Sequence, residues 1–60
     1  MRTVDVAGRP VRVKLALLEG VVVNAQPEYA DLVDVAGATG RTVQDVLAEA
    51  SAIARSFTTE

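Results

Sequence analysis

The chain has 60 residues, half of them apolar, with two aromatics, eight acidic and six basic side chains, and a formal net charge of −2. That length supports one domain with a thin core, burying only about 60% of its unfolded surface, and so mild a charge argues against nucleic acid or an anionic membrane as partner. Cysteine and histidine are both absent, which excludes disulfide staples, the usual structural zinc sites and His- or Cys-based catalysis, so no catalytic residue is assigned.

Thr3-Val4-Asp5-Val6 alternates with period 2, Gly8-Arg9 is a turn signal, and Val11-Arg12-Val13-Lys14-Leu15 alternates again. Together they predict a β-hairpin. Pro10 stands at the start of the second strand, where a missing donor does least harm. Val11, Val13, Leu15 and Leu17 share one face of that strand, read as the core face, and Arg12, Lys14 and Ala16 share the other. Glu19-Gly20 predicts a second tight turn, and Val21-Val22-Val23 a third, β-branched strand.

Pro27 suits a first helical turn, where its missing N–H would be unpaired anyway. Glu28 and Asp31 then place negative charge at the positive end of the helix dipole. Tyr29, Leu32, Val33 and Ala36 recur at helical spacing, so a helix is expected from Pro27 to about Gly37 or Ala38, with Tyr29 read as its core anchor or else as a ring that stacks on a base or donates a hydrogen bond to a ligand. Thr42 is an N-cap candidate with Asp45 three positions on. The stripe Val43, Val46, Leu47, Ala50, Ile53, Ala54 and Phe57 predicts a second helix to about Ser56, with fraying expected over Thr58-Thr59-Glu60. The expected fold class is α+β: a small antiparallel three-stranded sheet followed by two helices packed on one face, in the order β-β-β-α-α, with residues 1–60 as a single small domain.

Glu28, Asp31 and Asp34 are spaced by three along the first helix and so lie near one another on its surface. Carboxylates are hard oxygen ligands, suited to Mg²⁺ or Mn²⁺ carried on nucleotide phosphates better than to Ni²⁺, which makes Glu28 and Asp31 the candidate metal residues. The plainer reading is that both merely complement the helix dipole. Arg12 and Lys14 project from one strand face, where they would either grip phosphates or form a solvated face that discourages edge pairing. Arg41 precedes the Thr42 cap, so the pair is either an anion site at a helix N-terminus or a cap with an exposed neighbour. Asn24 is read either as a helix cap or as facing a ligand.

The block Val11-Arg12-Val13-Lys14, then Val23-Asn24 through Pro27-Glu28-Tyr29 and Asp31, then Ala36, Thr39-Gly40 and Val43 to Val46 resembles the C-terminal segment of the LarC-type nickel insertion proteins. These complete the nickel-pincer cofactor of lactate racemase. The resemblance runs from about Val4 to Ala54, and family proteins are several times longer than this chain. It implies a module of a CTP-dependent nickel insertase, with CTP and Mg²⁺ or Mn²⁺ as cofactors and nickel as the inserted metal. Lys14 matches a basic position of the family pattern. Where family members commonly carry a cysteine directly after the carboxylate that Asp31 matches, Leu32 stands here, so that thiol plays no part in nickel handling.

The expected roles are therefore Glu28 and Asp31 near the divalent cation, with Arg12, Lys14 and Arg41 near phosphates. The expected partners are further copies of the chain in a homo-oligomer and a longer nickel insertion subunit, with no nucleic acid and no membrane. A homo-oligomerisation or protein-interaction module without a ligand is the alternative, supported by the thin core and the long stripe of the second helix. With no apolar run approaching the ~20 residues of a membrane span and no secretory signal, a cytoplasmic location is the default.

Overall fold

A computed structural model describes residues 1–58 of the chain. Of the tail expected to fray, Thr59 and Glu60 lie outside the described residues, while the Thr58 amide and hydroxyl both donate to the Arg55 carbonyl, at 3.1 and 3.0 Å. Strands β1 (Arg2–Val6), β2 (Arg9–Leu18) and β3 (Val21–Pro27) are followed by helices α1 (Tyr29–Thr39) and α2 (Val43–Ala54) and a 3₁₀ turn, Arg55–Phe57. The strands form one antiparallel meander in the order β1-β2-β3. This is the expected β-β-β-α-α architecture.

Both hairpin turns are two residues long and place both central residues at positive φ: Ala7 and Gly8 at 54° and 76°, Glu19 and Gly20 at 51° and 82°. Such turns match the right-handed twist of the strands they join. Gly8 and Gly20 take up the left-handed conformation without a Cβ penalty, whereas Ala7 and Glu19 adopt it against their steric preference. The first turn thus sits one residue earlier than Gly8-Arg9, and Arg9 is the first residue of β2, opposite Val6.

The helices cover one face of the sheet, α1 against β2 and α2 against β1 and β3. Between them lie Val4, Val6, Val11 and Val13 from the sheet, Leu32, Val35 and Ala36 from α1, and Val46, Ala50 and Ala54 from α2. Small residues dominate this core, so the two layers approach closely but each contributes little apolar area. Leu15, Val43, Leu47 and Phe57 pack partly buried at its margin. The Arg2 guanidinium lies 4.7 Å from the centre of the Phe57 ring and ties the chain's first strand to its last turn through a cation–π contact.

Three local expectations are corrected. Pro27 is the buried last residue of β3, opposite Val13, and not part of the helix; the ladder runs one bond further, from the Glu28 amide to the Arg12 carbonyl at 2.9 Å, and delays the helix to Tyr29. Tyr29 is 69% exposed and anchors nothing in the core. Leu17, assigned to the core face of β2, is 64% exposed. The pairing register shifts between Ala16 and Leu17, where β3 carries the extra residue Val23; β2 keeps its alternation, and Leu17 is exposed because it lies toward the end of the ribbon away from the helices.

There is also a mismatch of lengths. Ten residues of β2 extend about 33 Å, while helices of 11 and 12 residues span only about 17 Å. The β2–β3 ribbon therefore outruns its cover. The molecule measures 39 × 17 × 17 Å, and Leu17, Leu18, Val21 and Val23 are all more than half exposed on that arm.

Helix α1 ends at Thr39, just past the expected Gly37 or Ala38, and Gly40 makes the C-cap at φ 73° with its amide bonded to the Ala36 carbonyl. Thr42 caps α2 as expected, its hydroxyl accepting from the Asp45 amide at 3.1 Å. Leu32, 2% exposed, is the one leucine in the buried cluster. Leu32→Ala is expected to cost about 2–5 kcal/mol, against a total stability of about 3–9 kcal/mol for a chain of this size. Urea unfolding followed by circular dichroism should find the variant's midpoint well below that of the native sequence.

Candidate functional site

Where β3 gives way to α1, the chain leaves the sheet and the adjoining edge of β2 loses its backbone partner. Arg12 faces this gap. Its carbonyl still accepts the Glu28 N–H, but the Glu28 carbonyl already receives the Asp31 and Leu32 amides at 3.1 and 3.2 Å in the first turn of α1. The Arg12 amide would be left without an acceptor. Asp31 supplies one: its Oδ2 accepts from the Arg12 backbone N–H at 2.8 Å.

The same carboxylate holds the Arg12 side chain. Arg12 Nε donates to Oδ2 at 2.8 Å and Nη2 donates to Oδ1 at 2.9 Å, a two-point ion pair between strand and helix. Three hydrogen bonds from one arginine thus converge on one aspartate. The Asp31 side chain is only 15% exposed, against 56% for Arg12. The Arg12 side-chain hydrogen bonds, then its backbone hydrogen bond, hold the Asp31 carboxyl down to about 2, well below the usual carboxylate range.

Beside this pair lies an open cavity of about 200 Å³. Its polar lining is Thr3, Arg9, Arg12, Asp31 and Asp34, and Pro10 and Val35 contribute apolar surface. Of the residues singled out from the sequence, Arg12 and Asp31 are therefore brought together at the cavity wall. Glu28 is the N-cap of α1, half-buried, and makes no capping bond with its side chain. Lys14 stands exposed opposite Gln26, two residues along β2 from Arg12, and forms no ion pair among the described residues.

Arg41 belongs to a separate network at the start of α2. Its Nε donates to Asp45 Oδ2 at 2.8 Å and its Nη2 lies 2.8 Å from Glu49 Oε1. The hydrogen bond to Asp45, then that to Glu49, raises the Arg41 pKa. The four-residue spacing from Arg41 to Asp45 is one that pairs side chains on a helix surface; the eight-residue spacing to Glu49 is not. Asn24 lies within β3 opposite Ala16 and caps no helix; it lines a second open cavity with Ser51 and Arg55. No group of three or more carboxylates that could hold a metal ion occurs among the described residues. Arg9 was missed as a member of the first cavity, since a residue flanking a turn gives no sign of what a later helix will set beside it.

The family model of the nickel insertion proteins matches residues 1–47. The chain belongs to this family. It is 55% identical over 56 residues to the pyridinium-3,5-bisthiocarboxylic acid mononucleotide nickel insertion protein of a Nocardioides species. That match covers 93% of this chain but only 14% of the relative, so the chain spans about one seventh of the longer nickel insertion protein's length. No solved structure matches it. The family match ends at Leu47, and so takes in the sheet, the Arg12–Asp31 pair, the whole of α1 and the capped start of α2.

The depressed Asp31 carboxyl makes a signed prediction. Its contribution to stability is fully present above the ordinary carboxylate value of about 3.9 in the unfolded chain and is lost as pH falls toward about 2. Between those limits the urea midpoint of the native sequence should fall steeply with acid. Asp31→Asn should start from a lower midpoint at neutral pH and show a shallower fall over the same window; superimposable acid limbs would refute the assignment.

Proposed function

We propose that this segment serves as a module in nickel insertion into the pyridinium-3,5-bisthiocarboxylic acid mononucleotide, supporting assembly and binding the metal-bearing nucleotide while the chemistry is carried out elsewhere in a longer protein. The observation that carries this reading is the Arg12–Asp31 pair at the wall of an open polar cavity, within the part of the chain that matches the family. Residues 1–60 act here as one module, in the cytoplasm, with nickel as cargo and not as a resident ion.

Among the described residues the donors that face a cation are carboxylate oxygens, which suit Mg²⁺ or Mn²⁺. Asp31 already gives both oxygens to Arg12, so Glu28 and Asp31 do not form a cage. They fit a cation that arrives on the phosphates of CTP and keeps several of its own waters. Arg12 and Lys14, on one face of β2, would meet those phosphates. Arg41 would reach them only by giving up Asp45 and Glu49.

Titration of the chain with CTP and Mg²⁺ or Mn²⁺, followed by amide NMR, tests this reading against ATP and against metal alone. Selective shifts at Arg12, Lys14, Glu28 and Asp31 are expected; no shift at millimolar CTP would reject nucleotide binding.

One observation favours a second reading, in which the segment is an assembly module without a ligand. The arm beyond the helices exposes Leu17, Leu18, Val21 and Val23, and β3 carries no charged residue to discourage edge pairing. On this reading the chain self-associates in sedimentation velocity as concentration rises, and Leu18→Lys combined with Val23→Lys keeps it monomeric. A native chain that stays monomeric throughout the range would remove the assembly role.

A further inference from the structure

The second open cavity, of about 210 Å³, shares no residue with the one beside Arg12 and Asp31. Two walls form it. Val23, Asn24 and Ala25 come from β3, and Ser51, Ala54, Arg55 and Thr58 from α2 and the turn that follows it. These last four are spaced by three and four, which places them on one face of a helical segment, and α2 and the 3₁₀ turn both pack against β3. A helix face that meets a sheet ordinarily carries large apolar side chains. Here it carries two hydroxyls, a guanidinium and one alanine, so the space between the layers is not filled. The facing wall is the bulge of β3, where Val23 is the extra residue; bulges re-aim side chains and are common beside functional sites.

The lining offers hydrogen-bond donors and one positive charge, and it holds no carboxylate. Thr58 already gives its hydroxyl hydrogen to the Arg55 carbonyl, which leaves Asn24, Ser51 and Arg55 as the donors. Arg55 forms no ion pair among the described residues, and the side chains of all three make no hydrogen bond among them.

The size of the charge selects the class of ligand. One guanidinium supplies a single positive charge, and α2 ends at this cavity, where its dipole contributes roughly half a negative charge. A phosphate dianion is poorly compensated by that balance. A monocarboxylate is matched by Arg55, whose planar fork fits both carboxylate oxygens. Val23, Ala25 and Ala54 supply apolar surface for a short carbon chain.

We propose that this cavity binds a short-chain monocarboxylate, with Arg55 pairing to the carboxylate at two points, Asn24 and Ser51 donating to it from the two walls, and Val23, Ala25 and Ala54 against its carbon chain. The α2 wall lies beyond Leu47, where the family match ends, so the site is separate from the nucleotide reading and stands or falls without it.

Sodium butyrate is the probe, titrated into the 60-residue chain at constant ionic strength and read by amide and arginine side-chain NMR, with inorganic phosphate as the comparison. Saturable shifts at Asn24, Ser51 and Arg55 are expected, weaker or absent with phosphate, and none at Arg12 or Lys14. Arg55→Gln should weaken butyrate binding about tenfold, the order of effect for a lost charge-assisted pair. Arg55→Lys keeps the charge without the fork and should fall between the two. Ser51→Leu fills the cavity and should abolish binding, while the native dispersion of its amide spectrum confirms the fold. Shifts that rise linearly without saturation, or that are scattered over the chain, would overturn the site. Butyrate binding unchanged in Arg55→Gln would overturn it equally, and phosphate binding more tightly than butyrate would overturn the assigned ligand class.

Discussion

A chain that turns from a sheet edge directly into a helix must find acceptors for the strand amides it abandons. In this protein one carboxylate meets that demand. Asp31, in the first turn of α1, takes the Arg12 backbone amide that β3 would have bonded had it continued, and binds the Arg12 guanidinium at two further points. The position of α1 over β2 follows from this junction, and with it the burial of Leu32 and Val35 against Val11 and Val13. Because the core is mostly valine and alanine, its packing supplies little apolar area with which to make good a misplaced helix.

The same junction shapes the chemistry the surface can perform. Asp31 is an acceptor already in use, and Arg12 is a cation already aimed. Arg41 is held in a similar way by Asp45 and Glu49, so half of the residues that looked available for ligand contact are engaged in holding helices in place. Arg9 and Asp34 beside the cavity and Lys14 further along β2 form no ion pair among the described residues. A charged group's availability is set less by its exposure than by what its neighbours have already taken.

Helices shorter than the strands they cover produce the other prominent feature, the apolar arm formed by the ends of β2 and β3. Exposed leucine and valine on both strands are costly for an isolated domain of this size and ordinary for a surface that is covered in a larger assembly. The nickel insertion relative that the chain matches is about seven times longer.

Local rules decided much of this protein from sequence alone. Period-2 alternation gave the first two strands, the β-branched valine run the third, and helical periodicity with the Thr42 cap gave α1 and α2. These signals are carried by backbone conformation and near-neighbour contacts, and the family pattern was legible for the same reason, in ordered residues such as Asn24, Pro27, Glu28 and Asp31. What the sequence left open were the matters settled by residues distant along the chain. The Arg12–Asp31 pair joins positions 19 apart, the extra ladder bond that kept Pro27 in β3 depends on Arg12 across the sheet, and the exposure of Leu17 depends on where the helices stop. Tyr29 looked like a core residue because its spacing was right, but only the docking angle of α1 determines which part of its apolar stripe meets the sheet. Pattern specifies which residues are able to bury or to pair; the tertiary structure, by fixing distances between segments far apart in the chain, decides which of them do.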